Sequence, residues 1–176
     1  HLLGLFEPSH MKYEYDRLQN SAEEPSLAEM ATKSVDLLSR NKRGYVLMVE
    51  AGRIDHAHHD GNAYRALRDT VALSDAVRSV ANKVDLDETL IIVTADHSHT
   101  FFIQGYPARG NNILGLVREI GPNGSIEPEY KLDRDKKPFT TLGYANGPGA
   151  VKGERPALTQ DETVKPDYKQ ESRILF

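Results

Sequence analysis

Residues 45–59 read YVLMVEAGRIDHAHH, and this stretch decides the predicted fold class. Its first five residues, 45–49, are continuously apolar, which is typical of a strand buried on both faces of a sheet. The run ends at Glu50, and Gly52 allows the backbone to bend sharply after it. A loop rich in acidic and imidazole side chains follows. The pattern predicts a buried strand that carries polar groups to one edge of a sheet.

Helix and strand signals alternate around this stretch. Ser26 and Glu29 have the spacing of a capping box, and the apolar residues that follow predict a helix over 26–40. A second helix is predicted over 62–84, and the run TLIIVT at 89–94 predicts a second buried strand. This order indicates an α/β fold, in which part of a mostly parallel sheet is flanked by helices.

The composition is that of a globular protein and excludes several functions. The 176 residues include 22 Lys and Arg against 26 Asp and Glu, and the formal net charge of −4 argues against nucleic-acid-specific binding. The chain has no cysteine, so any transition metal must be held by His, Asp or Glu. Its longest apolar run, at 45–49, is too short to span a bilayer.

Five of the seven histidines follow the two predicted strands. Asp55 and His59 stand four residues apart, so a helical turn would place both on one face. Asp96 and His97 are adjacent at the end of the second strand. A single pair of this kind is common without a metal, but two clusters at neighbouring strand ends predict a metal site. Glu50 adds a carboxylate suited to magnesium, and several metal ions together suit phosphoryl transfer.

The same residues resemble the signatures of alkaline phosphatases. VEAGRIDHAHH at 49–59 and VTADHSH at 93–99 match two signatures of that family in the right order. Shorter matches extend the resemblance along the chain: LGLFEP at 3–8, PSLAEM at 25–30, GYPARG at 105–110 and YANGPG at 144–149. The resemblance implies an alkaline-phosphatase-like core that hydrolyses phosphate monoesters through a phosphoserine intermediate, at a site with two zinc ions and one magnesium ion.

The resemblance also implies a role for individual side chains. Asp55 and His59 would bind the first zinc ion, Asp96 and His97 the second, and Glu50 the magnesium ion. The remaining residues near the signatures fall into three groups: pocket residues that orient ligands or phosphate (His56, His99), a structural arginine (Arg53) and a histidine without a role (His58). Part of the family also holds calcium, and the matching ligands would be Phe6, Glu7 and Glu24.

The rest of the active site is expected outside this chain. The family's nucleophilic serine would precede residue 1, and the third protein ligand of the first zinc would follow residue 176. We therefore expect a fragment that is inactive without the remainder of the enzyme chain. The resemblance divides it into part of the metal-binding core at 1–104, a crown-like insertion at 105–168 and a return toward the core at 169–176. It implies a homodimer formed through the insertion and a periplasmic or extracellular location.

Two other functions stay open from the sequence. A related metal-dependent phosphodiesterase or sulfatase would share the metal core, and relative rates on monoesters and diesters would distinguish it. A non-catalytic metal-binding domain would share the ligands but lack the nucleophilic serine in the complete protein. Ser26 and Ser98 are not credible replacements for that serine, because the first is predicted to cap a helix and the second lies in the ligand loop.

Overall fold

The computed structural model of this chain describes residues 2–19 and 23–174. Its helices are α1 (Glu14–Gln19), α2 (Leu27–Leu38), α3 (Arg53–His59), α4 (Ala63–Ala81) and α5 (Gln160–Thr163). Its strands are β1 (Phe101–Ile103), β2 (Leu142–Asn146) and β3 (Ser172–Ile174). The chain divides into two compact units: a first unit of residues 1–54 and 65–96, and a second unit of residues 55–64 and 97–176.

Local sequence sets the start of α2 in the first unit. The hydroxyl of Ser26 accepts a hydrogen bond from the backbone N–H of Glu29, and the Glu29 carboxylate accepts one from the backbone N–H of Ser26 at 2.7 Å. This capping box satisfies two amide groups at the helix N-terminus. The predicted helix is therefore confirmed, and it ends at Leu38, two residues before the predicted end.

Polar contacts connect α1 to α4 within the first unit. The Arg65 guanidinium donates two hydrogen bonds of 2.9 Å to the Asp16 carboxylate. The carboxylate of Asp69 is buried and accepts a hydrogen bond of 3.2 Å from the backbone N–H of Glu14, the first residue of α1. Burial raises the pKa of Asp69 to about 6. The Asp69 carboxylate thus caps the N-terminus of α1, although its burial costs desolvation free energy.

The two apolar runs predicted as buried strands form no strand within the described residues. Each needs a hydrogen-bonded neighbour, and none of the described segments pairs with 45–49 or 89–94. Alternate side chains are open to solvent, with Val46 94% and Leu90 83% exposed, whereas Leu47 and Ile91 are half-buried. Their composition suits the middle of a sheet, but burial depends on partners that residues 2–19 and 23–174 do not supply.

The described sheet belongs to the second unit and is mixed rather than mostly parallel. Its order is β1–β2–β3, with β1 and β2 antiparallel and β2 and β3 parallel. The chain is therefore α/β, but the described part contains a small mixed sheet in place of the predicted parallel one. The predicted insertion at 105–168 lies inside the second unit, and residues 175–176 of the predicted return segment lie outside the described residues.

The core of the second unit forms around β2. Leu142 and Tyr144 of this strand are almost completely buried, as are Leu116 and Val117. After β2 the chain turns through Asn-Gly-Pro-Gly, and a Cβ atom at Gly149 would lie 1.8 Å from the backbone oxygen of Gln170. Only glycine fits this close approach. No described helix is both long and apolar enough to cross a bilayer.

Candidate metal centre

The short helix α3 presents an acid and a histidine on one face. Asp55 and His59 occupy positions i and i+4, and Nε2 of His59 lies 3.4 Å from Oδ2 of Asp55. Ala57 on this helix is completely buried, and the backbone N–H of Asn62 donates to its carbonyl at 2.8 Å. The buried side of the helix therefore fixes its rotation, and the opposite side directs Asp55 and His59 together.

Two histidines from the segment before β1 approach the other oxygen of the same carboxylate. Nε2 of His97 lies 3.8 Å from Oδ1 of Asp55, and Nδ1 of His99 lies 3.5 Å from it. One donor atom from each of these three residues falls within 4.8 Å of the others. Carboxylate and imidazole donors at this density form the kind of cluster that binds zinc.

A cation fits the surroundings of Asp55. Its Oδ1 atom is buried and accepts no hydrogen bond from the described residues. An ionised oxygen in that position is costly unless it is compensated. The nearest groups are imidazoles at distances too long for good hydrogen bonds. A metal ion bound among these donors would satisfy the oxygen.

The backbone sets the tautomer of His97. Its Nδ1 lies 3.0 Å from the carbonyl oxygen of Ser98, which can only accept a hydrogen bond. Nδ1 therefore donates, and in the neutral ring Nε2, the nitrogen on the side of Asp55, carries the lone pair that a metal could bind. This is the arrangement that metal-binding histidines use, in which a hydrogen bond at one ring nitrogen orients the other toward the ion.

An aromatic wall supports His99. The His58 ring stacks on the His99 ring with centroids 5.1 Å apart, and Nδ1 of His58 lies 2.8 Å from the hydroxyl of Tyr144. Phe101 packs against both His58 and Tyr144. Burial lowers the pKa of His58 to about 4 and raises the pKa of Tyr144 above its ordinary value. His58 is thus a neutral side chain that supports the donor cluster, which consists of Asp55, His97 and His99.

Sequence reasoning left His58 without a role and did not find Tyr144. The signal for His58 was its place in the His-Ala-His-His run, which is ambiguous because neighbouring histidines on a short helix point in different directions. Tyr144 was noted only as the first residue of the family match at 144–149, and nothing in that match indicated its contact with His58. Its contribution comes from the topology of the sheet.

Other predicted site residues are not among the donors that meet at Asp55. Asp96 and Glu50 belong to the first unit and are exposed, and the Glu50 carboxylate lies against Gly52. His56 is half-buried on α3. The guanidinium of Arg53 lies 3.7 Å from the centre of the Tyr13 ring, a stacking contact inside the first unit.

The residues predicted to hold calcium are partly brought together. In the first unit, the carboxylates of Glu7 and Glu24 both contact the ammonium group of Lys12, at 2.9 and 2.8 Å. Phe6 is partly exposed beside Glu7 in the sequence. The position between the two carboxylates is therefore taken by a lysine.

Comparisons with known proteins agree with the signatures. The model of the alkaline phosphatase family matches residues 1–176. The tissue-nonspecific isozyme of alkaline phosphatase from Felis catus is 43% identical over 176 residues, which cover 99% of this chain and 31% of the relative. The human isozyme of that name is 41% identical, with the same coverage. A membrane-bound alkaline phosphatase from Bombyx mori is 43% identical over 164 residues, 92% of this chain and 27% of the relative.

These matches define both the extent and the class of the chain. It spans 31% of the length of the first two relatives. The family match, in contrast, covers every residue, and it includes both His-rich loops. The chain belongs to the alkaline phosphatase family.

Proposed function

We propose that the full-length protein that contains this chain hydrolyses phosphate monoesters and that the Asp55 cluster is part of its metal centre. The single observation that carries the proposal is the buried Oδ1 of Asp55, which lacks a hydrogen bond and is approached by two imidazoles. The names of the curated relatives, which are alkaline phosphatases, support the choice of reaction. A cluster of this composition suits a divalent ion that withdraws charge from a phosphoryl group.

The proposed ligands follow from the resemblance and from the donor geometry. Asp55 and His59 would hold the first zinc ion, Asp96 and His97 the second, and Glu50 the magnesium ion. Of these, His59 and His97 each lie within 4 Å of the Asp55 carboxylate, at 3.4 Å from Oδ2 and 3.8 Å from Oδ1. Bound divalent ions would supply positive charge that offsets the charge of the phosphoryl oxygens and favours ionisation of the attacking group.

Residues of this chain orient the proposed metal ligands without any substrate present. The Ser98 carbonyl holds His97 in the tautomer that leaves Nε2 able to bind a metal. His99, which is mostly buried, lies between Asp55 and the wall formed by His58 and Tyr144. We assign His99, together with His56, to the pocket around the phosphate, where their hydrogen bonds would orient a ligand or the phosphate.

The remaining components belong to the rest of the full-length protein. They are a nucleophilic serine that forms a phosphoserine intermediate, and a third protein ligand for the first zinc. In this proposal residues 105–168 form a crown-like insertion that contributes to a homodimer, and the protein acts in the periplasm or outside the cell. The 176 residues without the rest of the enzyme are expected to lack turnover.

The test compares three substrates and three variants of the full-length protein. We expect hydrolysis of p-nitrophenyl phosphate to exceed that of bis-p-nitrophenyl phosphate and p-nitrophenyl sulfate. Asp55→Asn and His97→Ala should each reduce the rate by at least about 100-fold, and should reduce the zinc retained after dialysis. His10→Ala replaces an exposed histidine of the first unit and should leave both quantities unchanged.

Two results would contradict the proposal. Preference for the diester or the sulfate would assign the protein to a different reaction. Full activity and full zinc content in both Asp55→Asn and His97→Ala would show that these residues are not part of the metal centre.

A further inference from the structure

A lysine closes the space between two carboxylates in the first unit. Nζ of Lys12 lies 2.9 Å from Oε1 of Glu7 and 2.8 Å from Oε1 of Glu24. The backbone N–H of the same lysine donates to the second oxygen of Glu24, Oε2, at 2.9 Å. Lys12 therefore contacts both oxygens of Glu24, and its ammonium also reaches Glu7. We refer to these three residues as the Lys12 cluster.

Burial makes a cation necessary at this position. The Glu24 side chain is only 2% exposed, so its carboxylate has lost nearly all of its contact with water. The Lys12 ammonium donates to one oxygen of this carboxylate at 2.8 Å, and the Lys12 backbone N–H donates to the other at 2.9 Å. Lys12 thus supplies the positive charge and the hydrogen bonds that replace the lost water.

The cluster does not fit a calcium ion. Calcium takes six to eight oxygen ligands at about 2.3–2.6 Å. Both oxygens of Glu24 already accept hydrogen bonds from Lys12, and Oε1 of Glu7 accepts another. A positive charge at less than 3 Å from both carboxylates would also repel a dication placed between them. Glu7 and Glu24 are therefore occupied by Lys12, and this arrangement argues against the calcium site expected from the resemblance to the family.

We propose that the ammonium group of Lys12 takes the place of a divalent cation between Glu7 and Glu24, so that this protein needs no calcium to stabilise its first unit. Glu24 lies two residues before Ser26, the N-cap of α2. The lysine therefore connects the segment that precedes α1 to the start of α2. The connection is part of the chain and does not depend on the concentration of a metal ion.

The test measures calcium dependence in the full-length protein at constant zinc and magnesium. Thermal unfolding is followed in a calcium-selective chelator and in about 1 mM calcium chloride, a concentration that fills weak extracellular-type sites. The wild-type midpoint should be the same in both. Lys12→Gln removes the charge and nearly keeps the side-chain length. It should lower the midpoint in chelator by about 2–4 °C, and calcium should restore most of that loss.

A matched control removes another lysine of the same unit. Lys83 pairs with the exposed Asp36 at 2.8 Å, so Lys83→Gln should shift the midpoint little and show no response to calcium. Calorimetric titration of the folded wild type with calcium chloride, and of the Glu24→Gln variant, gives a second measurement that does not require Lys12→Gln to fold.

Three outcomes would overturn the proposal. The first is calcium binding or calcium stabilisation in the wild type that Glu24→Gln abolishes. The second is a Lys12→Gln variant as stable as Lys83→Gln. The third is a destabilised Lys12→Gln variant that calcium does not restore, because Lys12 would then not be standing in for a divalent cation.

Discussion

The hydroxyl of Tyr144 lies 2.8 Å from Nδ1 of His58, although 86 residues separate the two in the chain. Tyr144 is completely buried on β2, and His58 stacks on His99 beside the donor cluster. The central strand β2 therefore helps to orient His99 in the proposed metal centre: Tyr144 holds His58 by a hydrogen bond, and His58 stacks on His99.

The Tyr144→Phe variant tests this support. It keeps the ring in the core but removes the hydroxyl, so His58 loses its anchor and His99 becomes less well oriented. In the full-length protein we expect activity to fall by about 10-fold, and the zinc concentration for half-maximal activity to rise. Both are measured by titrating zinc into protein stripped with a chelator.

Tyr130 provides the matched control for that experiment. It is a half-buried tyrosine of the same unit, near Arg118 and outside the donor cluster. Tyr130→Phe should leave the zinc titration unchanged. If Tyr144→Phe and Tyr130→Phe give the same curve as the wild type, the hydroxyl of Tyr144 has no positioning role.

Asp69 makes stability depend on pH in a direction opposite to that of most carboxylates. Its pKa in the folded state is raised by burial to about 6, from an ordinary value of 3.8. The folded state therefore holds this proton more tightly than the unfolded chain. The associated stability is fully present below about pH 4 and is lost as the pH rises through 6.

The Asp69→Asn variant should remove that dependence. An amide oxygen can still accept the hydrogen bond from Glu14, without the cost of burying a charge. We expect the variant to exceed the wild type by about 1–2 kcal/mol at pH 8, after allowance for solvent screening, and by much less at pH 4. Denaturant unfolding across this pH range measures the difference in the free energy of unfolding.

Asp75→Asn is the control, because Asp75 is exposed on α4 and pairs with Arg78. Its stability should follow that of the wild type at every pH. A gain in Asp69→Asn that does not depend on pH would contradict the assignment.

Gly149 is expected to tolerate no side chain. A Cβ atom there would lie 1.8 Å from the backbone oxygen of Gln170, and two backbone segments would have to separate to admit it. Gly149→Ala should destabilise the protein by about 3 kcal/mol or more, measured by denaturant unfolding. In Gly121→Ala the new methyl group would meet two side chains and no backbone: the flexible end of Glu127, and Oδ1 of Asn123 at 3.4 Å. This control should therefore stay within about 0.5 kcal/mol of the wild type. Equal losses in the two variants would show that the close approach at Gly149 is not restrictive.

Features that depend on neighbours in sequence could be predicted from the sequence. The Ser26–Glu29 capping box and the one-sided arrangement of Asp55 and His59 both follow from helical spacing, and the structure contains both. Features that depend on distant partners could not be predicted. The Lys12 cluster joins residues on either side of α1, and the wall behind His99 needs Tyr144 from β2.

The apolar runs at 45–49 and 89–94 show a second limit to what the sequence can predict. Their composition predicts burial, and whether they are buried depends on which segments lie beside them. The chain spans 31% of the length of the first two relatives, and within the described residues neither run is buried on both faces. Local pattern therefore identified segments suited to a sheet without supplying their neighbours.

The same two runs have a consequence for handling the 176 residues by themselves. Each run exposes large apolar side chains to solvent: Val46 and Met48 in the first, Leu90 and Ile92 in the second. The backbone amide and carbonyl groups of these segments can pair with a strand of another molecule. Copies of the chain at high concentration would associate through these exposed runs and form insoluble assemblies. Purification of such a piece would therefore favour dilute conditions, or co-expression with the segments that cover it.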